Sequence, residues 1–251
     1  MDSFPLPTTL SIRPEADGKR SSVVIEPLAP GYGTTVGNAL RRVLLSSLPG
    51  AAVTDVRIQG VDHEFSTVAN VKEDIVEIIL NLKLLRFRVH SDEPVHLHCR
   101  VKGKKPVRAR DIEANAQVEI VDLDALIATL TADDGELDME LVVRRGRGYL
   151  ATESREKEER AIGMLAVDAL FSPVRNVSFR IEPVRVGQMT NYERLLLTLE
   201  TDGSLSCEEA VKAAAKLLLD HFVFVESLGV AAPAGEEIVP EESDGVNEPA
   251  A

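Results

Sequence analysis

The segment "PGYGTTVGNALRRVLLSSLPGA", residues 30–51, decides how the rest of the chain is read. Its glycines and the closing Pro49-Gly50 bracket a short helix that carries two adjacent arginines among aliphatic neighbours. Wound at about 100° per residue, Val36, Ala39, Leu40, Val43 and Leu44 form one stripe, the face that a core takes up. Asn38, Arg41, Leu45 and Leu48 lie opposite, with Arg42 at their edge. A solvated surface does not require leucines beside arginines. A protein–protein contact does enrich both Arg and large apolar groups. Ordinary surface arginines with a casually exposed leucine remain the plainer account of this helix taken alone.

At 251 residues the chain can bury a full core, in one or two domains. Hydrophobic content of 44% and charged content of 27% place it among soluble globular proteins. No apolar run is long enough to span a bilayer, and "MDSFPLPTTL" lacks the basic-then-apolar form of a signal peptide. Cys99 and Cys207 are too few for a disulfide framework, so a reducing, cytoplasmic setting is expected. The net charge is −13, and the stretch from Gly235 to Ala251 holds acids without a single Lys or Arg. The remainder is acidic too, which argues against broad attraction to a nucleic-acid backbone. Residues 231–251 read as an acidic, disordered linker or tail.

Working outward from the quoted helix, "SSVVIEPL" (21–28) before it reads as a strand. From about Ala51 the texture changes to short alternating segments: "VTDVRI" (53–58), "LRFRVHS" (85–91), "VHLHCRV" (95–101), "VEIVD" (118–122) and "LDMELVV" (137–143). Between the first two, "NVKEDIVEIILNLK" (70–83) reads as a helix started by Asn70 and Glu73, with Ile75, Ile78, Ile79 and Leu82 as its stripe. "RRGRGYL" (144–150) reads as a hairpin turn with exposed arginines, and "ATESREKEER" (151–160) as a charged loop or short helix. After "SPVRN" (172–176) come two more strands, "VSFRIEPV" and "RLLLTLE". The last element, "CEEAVKAAAKLLLDHFVFVESLG", has a capping box in Ser206 and Glu209 and a stop at Gly229. Its apolar arc is more than twice the ~100° that one core needs. The excess implies packing against a second chain, because leaving that area wet at about 25 cal/mol per Å² would forfeit several kcal/mol.

Site chemistry is sparse. Gly31, Gly33 and Gly37 followed by Asp55 suggest a dinucleotide fingerprint, and a small dinucleotide-dependent enzyme is the alternative reading. The spacing is G-x-G-x-x-x-G, however, and glycines also serve a tight strand-to-helix turn. His90, His96 and His98 raise a metal hypothesis without a fourth ligand at any usual spacing. No nucleophile elbow, P-loop or zinc-spaced cysteine set occurs, so neither a catalytic residue nor a cofactor nor a metal is expected.

"GYGTTVGNALRRVLLSSLPGAAVT", "HEFSTVANVKEDIVEIILNLK" (63–83), "RRGRGYLA" (144–151), "IGMLAVDALFSPVRNVSF" (162–179) and "LETDGSLSCEEAVKAAAKLL" (199–218) together closely resemble the α subunit of bacterial DNA-directed RNA polymerase, in the family's order. The resemblance implies a two-domain α+β architecture: a discontinuous dimerisation domain (1–50 and 177–230) with a mixed strand/helix domain (51–176) inserted. It implies a non-catalytic homodimeric scaffold that binds β and β′, with ω and sigma in the full enzyme, and works in the cytoplasm and at the nucleoid. Arg41, Arg42 and Leu45 would contact β; Lys83 and Val167 would lie on the β′ side. Leu40 and Leu44 would join Leu218, Phe222 and Val225 in the dimer interface. The family continues through a linker into a small DNA-binding domain. This chain stops in the acidic tail, so direct DNA contact is not expected of it. Deleting residues 235–251 is expected to leave the melting temperature and the dimer unchanged; a large drop on thermal melting would show that the tail is docked.

Overall fold

The computed structural model describes residues 6–15, 18–155 and 161–228. The chain opens with β1 (Thr9–Pro14), β2 (Arg20–Leu28), α1 (Tyr32–Ser46) and β3 (Pro49–Ile58). Then come α2 (Ile75–Leu84), β4 (Phe87–Val89), β5 (Val95–Lys102), β6 (Pro106–Arg108), β7 (Val118–Ile120) and β8 (Leu126–Thr129). It closes with β9 (Glu136–Arg147), β10 (Tyr149–Leu150), β11 (Leu165–Ala166), β12 (Ala169–Leu170), β13 (Val174–Val186), β14 (Met189–Thr201) and α3 (Cys207–Glu226). Among the described residues every strand pairing is antiparallel, and the class is α+β.

One sheet has the order β1-β2-β14-β13. Alternation along "RLLLTLE" turns Leu195, Leu197 and Leu199 inward, as a half-buried strand requires. α1 and α3 are laid on this sheet, and Leu40, Leu44 and Leu48 meet Val177, Leu197 and Ala210 in one core. A second core forms between α2 and the sheet β11-β3-β9-β5, around Val56, Ile78, Leu82, Leu97 and Leu141. Arg86 and Arg88 reach across between the two: Arg86 Nε lies 3.1 Å from an Asp202 carboxylate oxygen, and Arg88 Nε donates to the Ser204 carbonyl at 2.9 Å.

The N-terminus of α1 has no capping side chain of its own, since Gly31 occupies that position with φ +82°. Glu193 from β14 serves instead. One carboxylate oxygen accepts from Gly31 N–H and the other from Gly33 N–H, both at 2.8 Å. An anion there meets free amide donors and the positive end of the helix dipole. The glycines allow the helix to approach this closely: a Cβ on Gly33 would come within 2.7 Å of Glu193, and one on Gly37 within 2.8 Å of the Phe179 ring.

Several sequence expectations shift. α2 begins at Ile75, not Asn70; Asp74 caps it by accepting from Glu77 N–H at 2.7 Å. Glu73 is drawn away because its carboxylate accepts from the amide and hydroxyl of Thr129. Leu48 is buried rather than outward, since the helix ends at Ser46 and the wheel no longer applies. Pro49-Gly50 opens β3 with no intervening loop, and Val174 already stands in a strand. "RRGRGYL" is a corner, not a hairpin: Gly148 at φ +65° turns the chain from β9 into β10, which pairs with β12. The helix stop at Gly229 and the tail 231–251 lie outside the described residues. Glu193→Ala is expected to cost about 1–3 kcal/mol by stranding two partly desolvated donors, read as a lower melting temperature.

Candidate functional site

Arg41 and Arg42 stand exposed on α1, and neither side chain has an ion-pair or hydrogen-bond partner among the described residues. Leu45 beside them is half-buried, and its carbonyl accepts from the Ser172 hydroxyl at 3.2 Å. The structure therefore brings Arg41, Arg42 and Leu45 onto one accessible face. It encloses Leu40 and Leu44 within the subunit's own core. Leu44 is 0% exposed and Leu40 nearly so, because both fill the core beneath α1. Their side chains have no free area to offer a second chain.

α3 divides in two. Ser206 and Glu209 cap each other reciprocally at its start, and Cys207, Ala210, Val211 and Ala214 are buried on the sheet. Beyond Leu218, which is half-buried, the helix runs off its own core. Phe222 is 62% exposed, Phe224 74% and Leu228 80%, with Leu219, Val223 and Val225 exposed among them. So contiguous an apolar surface on a helix is the mark of an interaction site, not of a solvated end.

The third face surrounds Lys83 at the end of α2. Leu80 and Phe65 are exposed there, and a shallow hollow of about 270 Å³ runs between them and Thr152; Leu84 is exposed on the same helix. Lys83 donates to Asp168 at 3.0 Å; the other carboxylate oxygen of Asp168 accepts from Thr152 N–H, also at 3.0 Å. The Thr152 amide, then Lys83 and Tyr149, outweigh desolvation and hold the Asp168 carboxyl down at about 2. Val167 corrects the sequence reading: it is 1% exposed, with its backbone bonded to Thr54 and Arg155, so its side chain cannot itself touch another subunit.

Sequence reading missed three residues. Glu193 sits in a polar stretch with no local sign of its partner. Asp168 is one acid among 41 acidic residues. Arg155, in a run that looks solvated, is 3% exposed; its guanidinium donates to the carbonyls of Thr54 and Val167 and lies 3.4 Å from Asp55. The one available signal was Asp55 itself, an acid in a strand otherwise buried, which needs a counter-charge.

The same contacts account for the rejected chemistries. The amides of Gly31 and Gly33 are already taken by Glu193, and Asp55 faces Arg155, which removes the phosphate cradle and the ribose acid of a dinucleotide site. His96 bonds Glu140 at 2.7 Å, and among the described residues no cluster of His, Cys, Asp and Glu is arranged to hold a metal. Burial pushes the Cys99 thiol up to about 12. Among the described residues no helix is long and apolar enough to cross a membrane.

A family described as the RNA polymerase Rpb3/RpoA insert domain matches residues 56–172. DNA-directed RNA polymerase subunit alpha of Carboxydothermus hydrogenoformans is 47% identical over 230 residues, 92% of this chain and 73% of the relative. The chain belongs to the DNA-directed RNA polymerase α-subunit family. The subunit from Desulfovibrio desulfuricans is 51% identical over 84% of this chain, and that from Moorella thermoacetica 49% over 82%. The chain spans 60% and 65% of those two relatives' lengths. In this α-subunit family member, α2 and α3 carry exposed large apolar groups and α1 carries the exposed Arg41 and Arg42.

The Asp168 network has a pH signature. Its folded pKa lies below the ordinary 3.8, so its stabilisation is fully present above about pH 4 and is lost as pH falls toward 2. Asp168→Asn is expected to flatten that part of the acid limb in a stability-against-pH profile, and to lower stability by a constant amount, with no change of slope, between pH 6 and 8.

Proposed function

We propose that this chain is the homodimeric assembly scaffold of the polymerase, holding β through α1 and β′ through the Lys83 face, and performing no step of nucleotide addition itself. The exposed distal half of α3 carries the reading. Phe222, Phe224, Val225 and Leu228 form a surface that one chain leaves open and a second copy would cover. In the dimer contact Leu218, Phe222 and Val225 remain from the sequence reading, while Leu40 and Leu44 support the helix from beneath. Residues 1–50 and 177–230 act as the dimerisation domain, 51–176 as the insertion, and 231–251 as an acidic linker. In favour of that division, the core under α1 unites Val23 and Leu40 with Val177, Leu197 and Ala210 from the far end of the chain. The setting is the cytoplasm and nucleoid, with ω and sigma joining in the complete enzyme and without direct DNA contact by this stretch.

The unpartnered guanidinium groups of Arg41 and Arg42 support docking of β. Charged donors in an acidic protein, flanked by a half-buried leucine, fit a partner surface that supplies acceptors and excludes water.

Two experiments test the scaffold. Phe222→Glu and Val225→Glu are expected to give folded monomers with the parent's melting temperature, because both side chains are exposed in the single chain and a charge is penalised only where a partner buries it. Light scattering that shows an intact dimer for both variants would overturn the reading. Arg42→Ala is expected to leave fold and dimer unchanged and to weaken β binding about 30-fold. Leu40→Ala, by contrast, should destabilise the subunit by about 2–5 kcal/mol. A pull-down of β beside thermal melts separates the two.

A further inference from the structure

We infer that Asp168 is the positioning residue of the Lys83 face, and that Lys83 acts on the partner through Asp168 rather than by its own charge. This rests on the docking reading of that face.

The geometry makes Asp168 a hub. Its carboxylate gathers the Lys83 ammonium from the last turn of α2 and the amide of Thr152 from the segment after β10, and Tyr149 of β10 helps to hold its charge. Asp168 lies in the chain between β11 and β12, and β12 pairs with β10. One side chain therefore ties the end of α2 to the strand pair beside it. Beside the hub stand Phe65, from the turn before α2, and Leu80, from α2 itself, both exposed and apolar. Lys83 and Asp168 are each about 30% exposed at the side chain. Their charges are matched to each other before any partner arrives. A lysine already paired at 3.0 Å gains little from a second carboxylate across an interface, where both charges would also have to be desolvated. What remains for the partner is the apolar rim, whose shape depends on the hub.

The same geometry bears on Val167. Its side chain is enclosed, but it immediately precedes Asp168 in the chain, and its backbone is fixed by Thr54 and Arg155. A substitution at Val167 would reach the surface by displacing Asp168.

A double-mutant cycle on the full chain, reading β′ binding alone and with β present, tests the inference. Asp168→Ala and Lys83→Ala are each expected to weaken β′ binding about tenfold, and the double variant no more than about threefold beyond the worse single, as for residues acting through one contact. Asp168→Asn keeps an acceptor for Thr152 and should recover most of the loss. Binding of β and dimer size should stay near the parent's and melting should stay cooperative, with the midpoint at pH 7 lowered only by the loss of this local network, which a general loss of structure would not allow. Losses that multiply in the double variant would mean that Lys83 meets a partner acid directly, and would overturn the proposal. So would parent-like β′ binding by Asp168→Ala. Should Asp168→Ala fail to fold, Tyr149→Phe replaces it, since that ring is exposed. It should weaken β′ binding about threefold and be non-additive with Lys83→Ala; parent-like binding would overturn the proposal. If the parent chain itself fails to bind β′, the docking reading falls with it, an outcome distinct from all of these.

Discussion

The carboxylate of Glu193 at the N-terminus of α1 is the contact on which the assembly end of this molecule depends. α1 has no cap of its own and no acid in its first turn, so its free amides need an outside acceptor. The acceptor comes from a strand 160 residues away in the chain. That distance lets one interaction fix the position of α1 against β14 and, with it, the side on which Arg41 and Arg42 appear. Gly33 and Gly37 belong to the same device, since any side chain there would lift α1 off Glu193 and Phe179.

α3 shows the opposite balance. Its first half is anchored by a capping box and by small residues that bring the backbone close to the sheet: Ala210 and Ala214 are fully buried. Its second half carries large apolar groups that no described residue covers. The gradient from small and buried to large and exposed separates the part that builds the subunit from the part available to a second chain. Leu218 stands at the changeover.

The element types were largely legible. Alternation located the strands around Val56, Leu97 and Leu141, and the stripe Ile75, Ile78, Leu82 located α2. Those patterns are local, and a buried face imposes them directly. Boundaries failed where a side chain found a distant partner, as when Glu73 turned to Thr129 instead of capping the helix. The site residues divided in the same way. That Arg42 and Phe222 keep exposed side chains was legible, because a charge or a large apolar group in an unexpected place is visible in one dimension. That Leu44 and Val167 are enclosed was not, because identity alone does not say how much area a residue keeps once its neighbours close over it.

By itself, then, the sequence determined the α+β class, the amphipathic helices and the kinship with polymerase α subunits. These follow from composition, from periodicity and from motifs contiguous in the chain. The tertiary structure alone decided that Glu193 caps α1, that Arg155 is buried against Asp55, and that Asp168 gathers Lys83, Tyr149 and Thr152. Each of these is a charged group whose partner lies tens of residues or more away, or in another element. Nothing in a local pattern encodes such a pairing; it arises only when burial makes an unpaired charge too costly and the fold brings its counterpart within reach.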